Sequence, residues 1–177
     1  MPGSNSVVSR KKVAILIDEM FEDSEFIYPY YRLLEAGIAV DVVAKKKVVY
    51  RGKHGTTAKA TQTIHGLESR DYDGVYVPGG YAPESLQRVP EMVEFVKSLY
   101  EAGKAVCAVC HGPSLLISAG ILKGKKVTAY HSIKDDLINA GAYYTDKPVE
   151  QDGNIITARD PKSLPAMMTL FLALLEK

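Results

Sequence analysis

The feature that most constrains this chain is a short apolar run at residues 104–109 (KAVCAV) that passes straight into Cys110, His111, Gly112 and Pro113. A run of small and β-branched residues with no polar alternation suits a strand covered on both faces, and the stretch from Pro113 onward reads as a helix. Cys110 therefore falls on the turn between them. A thiol in that place sits at the end of a rigid strand and faces the backbone N–H groups that open the next helix, whose partial positive charge favours a thiolate. A tight strand-to-helix elbow has room only for small residues two places before the nucleophile and two after it. Ala108 and Gly112 fill those places.

Cys107 and Cys110 have simpler rivals to weigh. A free cysteine inside a strand usually behaves as a small hydrophobe, which accounts for Cys107. The two cysteines also spell C-x-x-C, a possible redox pair. If residues 107–109 are extended, three residues span about 10 Å, beyond the roughly 7 Å limit between Cα atoms for a disulfide.

The chain has 177 residues, one domain's worth, with 46% hydrophobic and 24% charged residues, so neither disorder nor a fibrous class is indicated. With 22 basic against 21 acidic residues the net charge is +1. Such a chain has no global field to collect nucleic acid or an anionic membrane, and neither is expected as a partner. The lysines at 45–47, with Arg51 and Lys53, read as a solvated hairpin or a strand edge blunted by charge. Two cysteines make no disulfide framework, and dependence on a free thiol points to a reducing compartment, the cytoplasm. Residues 1–12 contain no long apolar segment of a secretory signal, and nothing reaches 18 consecutive apolar residues. Residues 1–10 read as a disordered tail and 11–177 as a single domain.

Taken in order, residues 13–18 predict a first central strand. Ser24 is placed to cap a helix through Phe26, Ile27, Tyr30, Tyr31 and Leu34, with Pro29 inside it and Gly37 as its stop. Strands follow at 39–44, 48–51, 59–63 and 72–77. Helices start at Pro83 and Pro90, the second with Met92, Phe95, Val96 and Leu99 as its apolar stripe. Residues 126–130 predict another strand, 133–140 a helix, and 149–158 a hairpin around Asp152-Gly153. A last helix buries Leu164, Met168, Phe171 and Leu175. This alternation implies an α/β fold with a parallel sheet covered on both faces. Ligands then sit off the carboxyl ends of the strands.

Four segments gather there: 18–23, 78–84, 110–113 and 130–132. The backbone N–H groups of Gly79 and Gly80, with that of His111, are candidate oxyanion donors, because glycines let the main chain approach a substrate closely. Glu22, on the loop after the first strand, is the candidate acid beside the thiol, though for any one of Glu19, Glu22, Asp23 and Glu25 the residues alone favour a solvated charge cluster at a helix start. His111 directly follows Cys110, and adjacent residues of one helix do not face each other, which argues against a local dyad. His54, His65 and His131 show no metal-ligand spacing, and two cysteines make no zinc site. There is no G-x-G-x-x-G or P-loop, so no nucleotide, metal or other cofactor is expected.

Several motifs together resemble those of the ThiJ/PfpI superfamily, in its PfpI branch: Phe21-Glu22-Asp23, Tyr28-Pro29-Tyr30, Gly52-Lys53-His54-Gly55, Pro78-Gly79-Gly80 with Ala82-Pro83-Glu84, Cys110-His111-Gly112-Pro113, and Ile133-Lys134-Asp135-Asp136 with Ile138-Asn139-Ala140-Gly141. The resemblance implies a flavodoxin-like doubly wound parallel sheet sandwiched by helices, like that of class I glutamine amidotransferases. It implies Cys110 as nucleophile, Glu22 as the buried acid and His111 as partner. It also implies that Glu84 reaches the histidine of a neighbouring copy in a homodimer or dimer-built hexamer, and that Tyr130 lies near the pocket. His131 departs from the branch, where proline is expected. The activities implied are cofactor-independent glyoxalase or deglycase chemistry on 2-oxoaldehydes and their adducts, intracellular cysteine peptidase or amidase action on peptides, or a redox-sensing, chaperone-like stress role.

Overall fold

The computed structural model describes residues 10–177. The chain opens with β1 (Lys12–Leu16), α1 (Asp23–Glu35) and β2 (Ala39–Ala44), then a hairpin of β3 (Val49–Arg51) and β4 (Thr57–Lys59) and a short β5 (Gln62–Thr63). It continues through β6 (Gly74–Val77), α2 (Ala82–Leu86), α3 (Pro90–Glu101), β7 (Ala105–Val109) and α4 (Pro113–Ser118). The remainder is β8 (Lys126–Val127), α5 (Lys134–Asn139), β9 (Tyr143–Tyr144), β10 (Val149–Asp152), β11 (Ile155–Ala158) and α6 (Leu164–Leu175). Seven strands form one sheet in the order β10-β11-β7-β6-β1-β2-β5, parallel except for the edge strand β10.

Strand periodicity explains why 105–109 is apolar throughout. Val106 and Ala108 face the layer of α3 and α4, packing with Met92, Phe95, Leu99 and Leu115. Ala105, Cys107 and Val109 face the layer of α1 and α6, with Phe26, Leu33, Met168 and Phe171. Both faces are covered, so neither set can be polar. Cys107 is a fully buried core residue, and both cysteines are free thiols.

Some local expectations shift. Residues 59–63 do not form one strand: β4 ends at Lys59, pairing antiparallel with β3, and the chain joins the main sheet only at β5. β8 also stays outside the main sheet and pairs with β9. A run of apolar residues specifies a strand but not its neighbour, which is a long-range choice. α1 begins one residue before Ser24, with Glu22 at its N-cap and no side-chain cap bond. The tail expected at 1–10 lies outside the described residues except for Arg10, whose Nε donates to the carbonyl of Gly37 at 2.8 Å. Among the described residues no helix is long and apolar enough to cross a membrane.

Candidate active site

From β1 the chain crosses to β2 on one side, and β6 lies on the other, so the loops after β1 and β6 diverge at their carboxyl ends and leave a crevice. The two loops are tied across it. Phe21 bridges to Gly80, and Glu22 N–H donates to the carbonyl of Gly79 at 3.1 Å. Cys110, at the end of β7, closes the crevice from the adjacent strand. The cavity has a volume of about 340 Å³, and its lining includes Glu22, Glu25, Lys53, Cys110, His111 and Tyr130. Larger clefts of about 710 and 520 Å³ lie at the amino-terminal end of the sheet and are lined by neither cysteine nor histidine.

Cys110 has φ 61°, a left-handed conformation that costs a non-glycine residue about 1–2 kcal/mol. The strain has two visible supports: Cys110 N–H donates to Ala158 O at 2.9 Å, and its carbonyl accepts from Tyr130 N–H at 3.0 Å. The same kink overturns the argument against a local dyad. Adjacent residues of a helix diverge, but Cys110 is not helical, and its Sγ lies 3.3 Å from His111 Nδ1. Gly112 is required by crowding, since a Cβ there would run into the carbonyl of Val77.

The buried acid beside the thiol is Glu25 rather than Glu22. Glu25 is fully inaccessible, its Oε1 accepts from Gly79 N–H at 2.8 Å, and its Oε2 has no hydrogen-bond partner among the described residues. A Cβ on Gly79 would meet Glu25 Oε1 at 2.6 Å and Cys110 Cβ at 2.8 Å, so only glycine lets acid and nucleophile sit side by side. Glu22 lies at the pocket mouth instead, its Oε2 held by Lys53 Nζ at 3.1 Å and its Oε1 3.6 Å from His54 Nε2. The carboxylates of Glu22 and Asp23 lie close to His54, but Asp23 already accepts from the N–H groups of His54 and Thr56 at 2.8 Å each. Those bonds dock the β3–β4 loop onto the start of α1.

Backbone chemistry fixes Glu25 from behind. Pro29, four residues on, has no N–H to donate, so the carbonyl of Glu25 loses its helical partner. The buried hydroxyl of Tyr76 on β6 donates to that carbonyl instead. Tyr76→Phe would leave the carbonyl buried and unpaired, and is expected to lower the free energy of unfolding by about 1–3 kcal/mol in urea titration. A variant as stable as the parent would show that this bond does not anchor α1.

Burial dominates the protonation of the pair. It pushes the Glu25 carboxyl up to about 8, partly offset by the Gly79 amide, and the negative charge of Glu22 pushes the same way as burial. It also pushes the Cys110 thiol up to about 12, with the charge of Glu25 adding to the rise, against lowering by the amides of Gly80 and His111. The helix-opening amides expected to favour a thiolate are present, but desolvation outweighs them. Near pH 7 the resting pair is acid plus thiol. His111 is held below the usual histidine range by burial, then by the charges of Lys53 and His131, so it is neutral and able to take the thiol proton.

Of the other expected residues, Gly79 is not free to serve an oxyanion, because its N–H is taken by Glu25. The amides of Gly80 and His111 remain, aimed at the sulfur. Tyr130 lines the pocket, its ring centroid 5.0 Å from that of His111 and 4.4 Å from that of His131. Glu84 is exposed on α2, 3.9 Å from Arg88, and does not line the cavity of its own chain. Sequence reading missed Glu25, Asp160 and Pro161. The last two could have been suspected from their place just after β11, which runs parallel beside β7 and ends at the same carboxyl end of the sheet.

A cysteine at a strained strand-to-helix elbow, with a buried acid and a histidine beside it on a flavodoxin-like sheet, defines a class of α/β proteins with a cysteine-centred pocket. The chain belongs to the DJ-1/PfpI family, whose model matches residues 11–174. It is 42% identical over 165 residues to the protein named Deglycase PfpI of Pyrococcus furiosus, covering 93% of this chain and 99% of that one. It is 38% identical over 168 residues to Protein/nucleic acid deglycase 2 of Escherichia coli, covering 93% and 98%. Among solved structures, a two-domain protein of Anabaena variabilis with DJ-1/ThiJ/PfpI-like and ferritin-like domains superposes with a TM-score of 0.93 at 42% identity, over 94% of this chain and 48% of that one.

Proposed function

We propose that this protein is a cysteine-nucleophile enzyme acting on reactive 2-oxoaldehydes, such as methylglyoxal, or on their adducts with amines and thiols. The observation that carries this reading is the unpartnered Oε2 of a fully buried Glu25 beside Cys110. A carboxyl half-ionised near pH 8 is a useful base and, once protonated, a useful acid in the same working range. Peptide-bond hydrolysis has no evident need of such a group, whereas moving a proton between adjacent carbons does. The relatives named as deglycases support the same reading.

In this mechanism Cys110 Sγ attacks the aldehyde carbon as its proton passes to His111 Nδ1, and His111 returns that proton to the carbonyl oxygen to give a hemithioacetal. The ionised form of Glu25 takes the proton from the sulfur-bearing carbon, leaving an enediolate, and delivers it to the neighbouring carbon, while the hydroxyl proton on the sulfur-bearing carbon passes to the neighbouring oxygen. The product is a thioester of a 2-hydroxy acid. Water adds to that thioester, releasing lactate when methylglyoxal is the substrate and restoring the thiol. The amides of Gly80 and His111 are the donors available for developing negative charge.

The rival use of the same thiol is acyl transfer in a peptidase. Methylglyoxal, its cysteine and lysine adducts, and a peptide panel should be compared on one preparation of the full chain. Lactate formation from methylglyoxal or its adducts, with peptides untouched, is the expected outcome. Turnover of peptides alone sinks the proposal.

A further inference from the structure

His111 Nε2 lies 3.0 Å from Ser132 Oγ, while its Nδ1 lies 3.3 Å from Cys110 Sγ. The ring is thus held at both nitrogens by groups of its own chain. Ser132 belongs to a short 3₁₀ turn, His131–Ile133, and that turn is registered to the nucleophile. Tyr130 N–H donates to the carbonyl of Cys110 at 3.0 Å, and Ile133 N–H to the carbonyl of Tyr130 at 3.2 Å. The Tyr130 ring packs between the rings of His111 and His131, its centroid 5.0 and 4.4 Å from theirs. The backbone that bends to expose the sulfur therefore also sets the distance from hydroxyl to imidazole.

We propose that Ser132 is the positioning residue for His111, completing a Cys110–His111–Ser132 array within a single chain. This rests on the reading that Cys110 is the nucleophile, and it gives His111 a partner where the resemblance implied Glu84 of another copy. A hydroxyl suits this place because it both accepts and donates. When Nδ1 is the base toward the thiol, Nε2 carries the hydrogen and donates to Ser132 Oγ. After the Sγ proton has moved to Nδ1, the imidazolium still donates to the same oxygen, so the ring need not turn between the two states.

A carboxylate in that place would raise the ring's affinity for a proton, whereas a hydroxyl orients the ring and adds no charge. The titratable groups that face the ring are Cys110, Lys53, His131 and Tyr130, with Glu22, Glu25 and Asp160 lining the same cavity. Burial, Lys53 and His131 all favour the neutral ring that a proton acceptor needs.

The test uses the full chain with its own thiol as reporter. Alkylation of Cys110 by iodoacetamide is followed by mass spectrometry from pH 5.5 to 9 in the parent, Ser132→Ala, Ser132→Thr and Glu84→Gln, with kcat and KM for methylglyoxal measured in parallel. Ser132→Ala is expected to slow alkylation at pH 7 by about 3–10-fold, the equivalent of one lost hydrogen bond, and to lower kcat by a similar factor with KM unchanged. Ser132→Thr, which keeps the hydroxyl, should restore both to within about twofold. A reactive Cys110 that is indifferent to Ser132→Ala at every pH overturns the proposal alone. So does a loss in Ser132→Ala that threonine does not repair, or a loss seen in Glu84→Gln and not in Ser132→Ala. A Cys110 no more reactive than the buried Cys107 overturns the nucleophile reading and this proposal with it.

Discussion

Cys110→Ala is expected to lower kcat/KM for methylglyoxal by about 10³-fold or more, because no other thiol lines the cavity to form the hemithioacetal. The substitution isolates the chemistry well. Alanine pays the same penalty for φ 61° as cysteine does, and Cys110 is 9% exposed at the edge of the core, so the fold should tolerate loss of the sulfur. Cys107, fully buried on the α1/α6 face of β7, cannot substitute for it. Steady-state lactate formation by parent and variant, with matching circular dichroism spectra, checks the prediction. A variant that keeps more than a few per cent of parental turnover would remove Cys110 from the mechanism.

Glu25→Gln is expected to have two opposite effects, on activity and on stability. Activity should fall by about 10²–10⁴-fold, the usual range for loss of a positioned acid–base group, since an amide cannot shuttle a proton between carbons. Stability should rise, by an amount that depends on pH. The native carboxyl holds its proton up to about pH 8, whereas the ordinary value for the unfolded chain is 4.5. Between those values the unfolded state is ionised and the native state is not, so the native state binds more protons and stability falls as pH rises through the window. The Gln variant has no such slope. Its advantage over the parent should be near zero at pH 5 and on the order of 3–5 kcal/mol at pH 8.5, below the range where Cys110 begins to contribute. Urea unfolding of both proteins at the two pH values reads this difference. An advantage that does not grow with pH would mean that Glu25 is ionised in the native state.

The same protein would then gain stability and lose function at one position. That is the expected signature of a carboxyl kept in the interior for its chemistry. It also separates Glu25 from Glu22, whose carboxylate at the pocket mouth is paired with Lys53.

What the amino-acid sequence determined by itself was local and periodic. The unbroken apolar run at 105–109, the small Ala108 and Gly112, and Pro113 placed Cys110 at a strand-to-helix elbow, because those signals act within a few residues of one another. The alternation of strands and helices gave the doubly wound sheet for the same reason. Tertiary structure alone decided which acid meets the thiol. Glu22 and Glu25 stand three residues apart in one charged cluster, and what divides them is that Glu22 is the N-cap, outside the helix, while Glu25 lies on the face of α1 that turns onto β6. A clue was present in the chain: Pro29, four residues beyond Glu25, frees a carbonyl that only a distant hydroxyl can satisfy. That hydroxyl is Tyr76, 51 residues away, and the contact exists only once β6 lies beside β1. The Cys110–His111 approach was likewise hidden, because it depends on a left-handed backbone imposed by bonds to Ala158 and Tyr130 from remote strands and loops. Short-range patterns place the cysteine at the elbow; its ionisation and its partners follow from which distant groups exclude water around it.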